Sequence, residues 1–341
     1  MLQRPPPAIR SSWIVSDGKV GMETQCLGLA EALGLAPEVK RIVVGKPWRW
    51  LQPTLTLNAL GSLRAKGDRL QPPWPDLIIA TGRHSVAPVL AVKRRAGPDL
   101  RLVQIQNPGV RLDAFDLVIT PAHDQVEGPN VLSTMGSMHR VSQARLDEAK
   151  ARFEAHYAAL PRPLVAVLVG GANKAFTFGA DTAAALGAGL ARMAHQSGAG
   201  LAVTASRRTG GEAVAALRDA LADAPAALWD GSGDNPYFGL LALADAIVVT
   251  CDSVNMVSEA LATGKPVHVA DLPGGSPKFA RFHEALRSHG LTRPFAGRLE
   301  HWTYDPPDDM RRAVAAVTAL FDRQRTGTAG RCDDNAARRA G

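Results

Sequence analysis

The chain has 341 residues, 46% hydrophobic and 21% charged, with a net charge of +7. That length holds two domains of ordinary size, each with its own core. No apolar run approaches the roughly 20 residues that span a bilayer, and the N-terminal MLQRPPPAIRSS puts Pro where an export signal needs an apolar stretch. The three cysteines, Cys26, Cys251 and Cys332, form no CxxC and fit no zinc spacing. A reduced, cytoplasmic setting is the default expectation.

The charge is uneven. Residues 1–150 hold 19 Lys and Arg against 13 Asp and Glu; the remainder holds 20 against 19. A basic N-terminal half suits an anionic partner, such as a lipid surface at the inner membrane face, a phosphate-bearing or lipid-linked acceptor, or nucleic acid. A generally basic proteome explains the excess equally well. Nucleic acid is set aside, because no aromatic-interleaved basic strand or recognition helix is visible.

In chain order, strands are expected at Trp13–Ser16, Glu38–Val43, Leu77–Thr81, Leu102–Gln106, Leu117–Ile119 and Val131–Thr134. Helices are expected between them at Val20–Leu33, Thr54–Leu63 and Ser85–Arg95. After a charged helix at about Gln143–Ala158, Pro161-Arg162-Pro163 marks the expected domain boundary. A second set of strands follows at Leu164–Val169, Leu201–Thr204, Ala227–Trp229, Ala246–Val249 and Val267–Val269. Its helices are expected at Ala180–Gln196, Gly211–Leu221, Tyr237–Leu243, Val254–Thr263 and Pro277–Ser288, with a last one at Pro307–Asp322. Alternation of this kind signals parallel sheets with crossover helices. The expected fold class is α/β, with two Rossmann-like domains at 1–160 and 161–325, a disordered tail at 326–341, and a ligand in the cleft between the domains. The last helix is a candidate to cross back to the N-terminal domain.

Open α/β sheets bind ligands at the carboxyl ends of their strands, and each candidate loop lies there. Ser16 to Glu23 offers Asp17 or Glu23 as a general base and Lys19 as a phosphate ligand, with Asp17 as a simple helix cap the bland reading. Thr81-Gly82-Arg83-His84 places a cation and an imidazole at a helix start. Asn107 lies in the next such loop. In the second half, Gly170-Gly171-Ala172-Asn173-Lys174 reads as a diphosphate cradle. Ser206-Arg207-Arg208 suits phosphate oxygens. Asp230 to Tyr237 is rich in turn formers and reads as a turn. The stretch ADAIVVTCDSVNMVSEALATGKPVHV, residues 244–269, carries Asp252, Ser253 and Glu259 in a strand–loop–helix–strand unit, where a carboxylate on the helix can reach a ribose hydroxyl. HExxH is absent, so no metal is expected. Around Lys46-Pro47-Trp48-Arg49-Trp50, Trp mixed with cations suits a membrane interface or a core pair alike.

SDGKVGMETQ at 16–25, VLVGGANKAFTFG at 167–179, TASRRTG at 204–210, TCDSVNMVSEALATGKPV at 250–267 and KFARFHEALRSHGLTRPF at 278–295 together resemble the mitochondrial fission Elm-type family. The resemblance spans about residues 12–325. The plant member of that family helps recruit a dynamin-related protein to mitochondria. The family in turn is similar to GT-B glycosyltransferases, including the lipid-linked N-acetylglucosaminyltransferase of peptidoglycan synthesis. This implies a metal-independent transferase with a nucleotide-activated sugar as substrate and no resident cofactor. The donor would sit on Gly170, Gly171, Asn173, Lys174, Ser206, Arg207, Arg208, Asp252, Ser253 and Glu259, with Glu259 on the ribose. The acceptor would meet Lys19, Arg83, His84 and Asn107. The N-terminal loop departs from that transferase, whose loop carries a catalytic His; this chain has Asp17, Lys19 and Glu23 there. A non-catalytic nucleotide-binding or adaptor protein is the alternative.

Overall fold

The computed structural model describes residues 9–51, 53 and 58–322. The chain divides into two compact units. Unit 1 comprises residues 1–140 and 308–341, and unit 2 residues 141–307.

In unit 1 the elements run β1 (Ser12–Ser16), α1 (Val20–Ala32), β2 (Glu38–Arg41), α2 (Trp48–Leu51), β3 (Leu77–Thr81), α3 (Arg83–Ala96), β4 (Arg101–Ile105), β5 (Leu117–Pro121) and β6 (Val131–Thr134). The six strands form one parallel sheet in the order β2-β1-β3-β4-β5-β6. Strands β1, β3 and β5 are buried along their whole length, as central parallel strands must be when helices cover both faces. One face packs Ile14, Ile79 and Val103 against Leu29 and Cys26 of α1. The other packs Val15, Ile78 and Leu102 against Val86, Val89 and Val92 of α3. The helix expected at 54–63 lies partly outside the described residues; 58–62 form turns, and Leu63 bridges back to Val44.

Unit 2 opens with α4 (Gln143–Tyr157), then β7 (Leu164–Val169), α5 (Ala180–Ser197), β8 (Gly200–Ala205), α6 (Gly211–Ala220) and β9 (Ala226–Leu228). It continues with α7 (Tyr237–Leu243), β10 (Ala246–Thr250), α8 (Val254–Leu261), β11 (Val267–Ala270), α9 (Pro277–Ser288) and β12 (Thr292–Pro294). The sheet is parallel, in the order β12-β11-β10-β7-β8-β9. That is the 3-2-1-4-5-6 arrangement of a dinucleotide-binding fold read from the β9 side.

The units part at residue 140, twenty residues before the Pro-Arg-Pro punctuation. The reason is α4, whose buried face of Ala149, Phe153 and Tyr157 needs a partner. It finds α7, where Gly239 leaves room: a Cβ there would lie 2.7 Å from the Phe153 ring. Arg145 also stands over the Phe238 ring at 5.1 Å. Arg162 then ties the proline segment into unit 2 through Leu243 O at 2.7 Å and Asp245 at 3.0 Å. The last helix, α10 over 309–322, belongs to unit 1, burying Ala313, Val317 and Phe321 beside α1.

Each sheet has one switch point, where successive connections leave in opposite directions. In unit 1 it lies between β1 and β3, in unit 2 between β7 and β10. Ligands of doubly wound sheets sit outside the strand ends at such points.

Candidate functional site

At the unit 1 switch point the loops after β1 and β3 meet. Gly18 (φ +79°) and Gly82 (φ +84°) turn the chain there in the left-handed region. Lys19 stands at the N-cap of α1 without a side-chain cap, so Asp17 serves another purpose than capping. Its Oδ2 lies 2.7 Å from Lys19 Nζ and 3.3 Å from His84 Nδ1. Asp17 Oδ1 is buried without a hydrogen-bond partner. Burial pushes the Asp17 carboxyl up, but Lys19 and His84 outweigh it and hold the group below the usual carboxylate range. An aspartate against Nδ1 fixes the tautomer that leaves Nε2 as the basic atom.

Glu23 does not join this pair. Its carboxylate accepts from Ser16 Oγ at 3.1 Å and from Arg41 Nε and Nη2 at 2.9 and 2.7 Å. The Arg41 hydrogen bonds hold its pKa down against burial. A carboxylate so engaged is a poor general base. Arg83 donates to Trp50 O at 3.4 Å. Asn107 closes a turn by accepting from Gly109 N at 2.8 Å.

At the unit 2 switch point the glycine loop after β7 meets the loop after β10. Gly170 N–H donates to Thr250 Oγ1 at 2.7 Å and Gly171 N–H to Asp252 Oδ2 at 3.0 Å. Thr250 Oγ1 donates to Asp252 Oδ1 at 2.6 Å, and Arg208 reaches Asp252 Oδ2 at 2.8 Å. Asp252 is buried. The Gly171 N–H therefore holds one of the chain's own carboxylates, and the Gly170 N–H a hydroxyl, where a cradle would hold a phosphate. The two glycines are required by packing. A Cβ on Gly170 would lie 2.2 Å from the Asp252 carboxylate, and one on Gly171 2.3 Å from the Arg208 backbone. Asn173 Nδ2 donates to Asp252 O at 3.1 Å. Ser206 Oγ donates to Gly170 O at 2.7 Å. Ser253 caps α8 by accepting from Met256 N at 3.3 Å. Lys174 and Arg207 are exposed.

Beside this network a pocket of about 600 Å³ opens over the ends of β7, β8 and β9, lined among others by Ser206, Arg207, Trp229, Asn235, Tyr237 and Met256. The sequence marks 230–237 as a turn; the structure makes it a wall of this pocket. Trp229, Asn235 and Tyr237 are the residues that sequence reasoning missed. Their one signal is position, between a strand end and the next helix. Glu259 is buried one layer behind, with Tyr237 Oη donating to its Oε2 at 2.5 Å. Burial and the Glu259 charge push the Tyr237 phenol well above its ordinary value.

Among the described residues no three His, Cys, Asp or Glu gather in a group that could hold a metal, and no helix is long and apolar enough to cross a membrane.

Two solved structures share the fold with TM-scores of 0.51: MurG from Acinetobacter baumannii, 15% identical over 92% of this chain and 91% of that one, and Os79 from O. sativa in complex with U2F and trichothecene, 15% identical over 92% of each. The fold class is α/β, two Rossmann-like domains of the GT-B type. The Mitochondrial fission protein ELM1 of Arabidopsis thaliana is 29% identical, covering 91% of this chain and 90% of its own. An uncharacterized protein of Rickettsia prowazekii (strain Madrid E) is 26% identical over 89% of this chain and 97% of its own. The family model described as Mitochondrial fission ELM1 matches residues 20–321, and the chain belongs to that family.

Proposed function

We propose that the protein is a glycosyltransferase that takes a nucleotide-activated sugar on unit 2. The pocket beside the β7–β10 switch point carries this reading. It has the size of a small-molecule site, an indole for a base (Trp229), a cation for phosphate (Arg207) and a buried carboxylate behind it (Glu259). Lys174, exposed on the neighbouring loop, adds a second charge for the diphosphate. In unit 1, His84 takes the acceptor's hydroxyl proton at Nε2. Asp17 orients the ring and stabilises the imidazolium that forms, as a carboxylate does in a catalytic triad. The acceptor oxygen then attacks the anomeric carbon, the bond to the diphosphate breaks, and cations steady the departing charge. The basic N-terminal half suits an anionic or lipid-linked acceptor.

One observation favours the second reading, a non-catalytic nucleotide-binding or adaptor protein. The Gly170 and Gly171 N–H groups are already occupied by Thr250 and Asp252, which removes those two donors from a diphosphate.

The test is thermal unfolding with UDP, GDP, ADP, CDP and their sugar conjugates. A ligand at 100 times its Kd adds about 2.7 kcal/mol. Stabilisation by one sugar nucleotide, followed by release of its nucleoside diphosphate, supports the transferase. Stabilisation without release at any acceptor supports the adaptor. No stabilisation by any nucleotide refutes the transferase.

A further inference from the structure

A second cavity, of about 570 Å³, lies in unit 1 at the opposite end of the strands from Asp17 and His84. Ser11 and Trp13 line it from the start of β1, and Glu38 and Lys40 from β2. Residues from the segment 68–75, which leads into β3, close it. The strand register explains its polarity. Glu38 pairs with Trp13, and Lys40 with Val15. Both charged residues therefore stand on the face that the neighbouring strands fill with Trp13, Val15 and Ile78. That face is core in the middle of the sheet and polar at its β2 edge.

The walls are held in place. Trp13 is buried, with Trp74 edge-to-face against it at 6.0 Å and 71°. Lys40 Nζ lies 5.0 Å over the Trp13 ring and donates to Glu38 Oε1. Asp68 Oδ2 accepts from Arg41 N at 2.6 Å, and Asp68 N donates to Arg41 O at 3.0 Å, which ties the closing segment to β2. Pro72, Pro73 and Pro75 line the cavity. Their rings fix φ, so this stretch loses little freedom when a ligand arrives. Inward-pointing charges alone guard a sheet edge; two indoles around a cavity of small-molecule size go beyond that need.

The chemistry of the lining selects a ligand class. Glu38 and Asp68 balance Lys40 and Arg69, so the walls carry no net charge. An anion would meet two carboxylates and a cation two basic groups, and like charges brought together cost affinity. Gln71, exposed on the same wall, offers a donor and an acceptor. Lys40 covers the buried Trp13 ring, which leaves the half-buried Trp74 as the indole for a ligand. A saccharide matches this set. Its hydroxyls both donate and accept, and its C–H bonds, slightly positive, suit the negative face of an indole. We propose that this cavity binds a neutral mono- or disaccharide, with Trp74 as its platform and Gln71 among its hydrogen-bonding groups. The site stands apart from the nucleotide reading of unit 2.

The experiment is a saturation-transfer NMR titration of the full chain with glucose, galactose, mannose, N-acetylglucosamine, cellobiose and lactose. The uronate and amino-sugar forms of whichever monosaccharide binds tightest follow. At least one neutral sugar is expected to bind, and its charged forms to bind about fivefold more weakly or worse. Trp74→Ala is expected to weaken the neutral sugar by about tenfold or more. Because Trp74 also packs on Trp13, Gln71→Ala is the second variant. It changes an exposed side chain, should leave Tm unchanged, and is expected to weaken the sugar by about threefold or more. Where Trp74→Ala does not fold, Gln71→Ala decides alone. Failure of every neutral sugar to bind the wild type overturns the proposal. So does an affinity that Gln71→Ala and a folded Trp74→Ala both leave unchanged, which would place the sugar elsewhere. Charged forms that bind as tightly as the neutral sugar overturn it too.

Discussion

Arg41 grips Glu23 with both arms of its guanidinium, at 2.9 and 2.7 Å, and the same carboxylate takes the Ser16 hydroxyl. This buried acid thereby ties β1, α1 and β2 together. Glu23→Gln removes the acceptor's charge from all three bonds and turns one accepting oxygen into an amide donor. Charged hydrogen bonds are each worth about 1.5–3 kcal/mol, reduced here because the Arg41 side chain is largely exposed. A loss of about 1 kcal/mol in urea unfolding is expected, with the nucleotide affinity of unit 2 unchanged. A Glu23→Gln variant of wild-type stability would restore Glu23 as a candidate base.

Asp17 and His84 make the opposite prediction. Their 3.3 Å contact leaves Nε2 for an acceptor, so His84→Ala should cut nucleoside diphosphate release by about 10²- to 10⁴-fold. Nucleotide affinity, set in the other unit, should hold within about twofold. Asp17→Asn should also slow release, since it loosens the tautomer while leaving the ring. Loss of nucleotide affinity in either variant would contradict this division of labour.

The two glycines of the cradle test packing directly. Gly171→Ala would drive a Cβ to 2.3 Å from the Arg208 backbone, which has no flexible end to swing away. Overpacking of this kind costs about 1–3 kcal/mol or more, or several degrees in Tm for a unit of this size. Gly179→Ala is the matched control. It has open space around its Cβ and an ordinary φ of −121°, so it should lose clearly less than Gly171→Ala, through the weaker N-cap that Ala gives α5 alone. Equal effects at both positions would remove the packing explanation.

Strand positions followed from alternation and apolar runs, because parallel strands buried on both faces write themselves as continuous Val, Ile and Leu. β7, LVAVLV, is the plainest case. β12 escaped, since Thr292-Arg293-Pro294 is polar and held at an edge by β11 alone. The unit boundary escaped because the partner of α4 is a glycine on α7, and a missing side chain leaves no pattern. Loop positions were legible from strand ends, but loop partners were not. Nothing along the chain says that Asp17 meets His84 across 67 positions, or that Asp252 takes the amide of Gly171 across 81. Those pairings come from the switch points, which are properties of strand order in space.

Trp229 offers its ring to the pocket while its Nε1 is spent on Ser232 O. Stacking of a base on an aromatic ring is worth about 1–3 kcal/mol. Trp229→Ala should therefore weaken every nucleoside diphosphate by about 5- to 150-fold, with little regard to the base. A variant that lost only one base would mean that edge contacts, and not the ring face, hold it.

Lys265 closes the C-terminal end of α7, its Nζ donating to Leu241 O at 2.6 Å and Ala242 O at 2.7 Å. Burial lowers its pKa from the ordinary 10.5 to about 8, with Arg162 and Lys150 adding to the effect and Asp245 opposing it. The unfolded chain keeps this proton up to about pH 10.5, the folded chain only up to about pH 8. Between those values the unfolded state binds more protons, so stability contributed through this residue rises with pH. Comparing wild type with Lys265→Met cancels the remaining lysines. The difference in urea unfolding free energy should move toward the wild type by about 1–3 kcal/mol from pH 8 to pH 10.5, the lower figure applying where solvent reaches the amine. Below pH 8 it should be flat. A difference flat across the whole range would mean that the folded chain holds the Lys265 proton as firmly as water does.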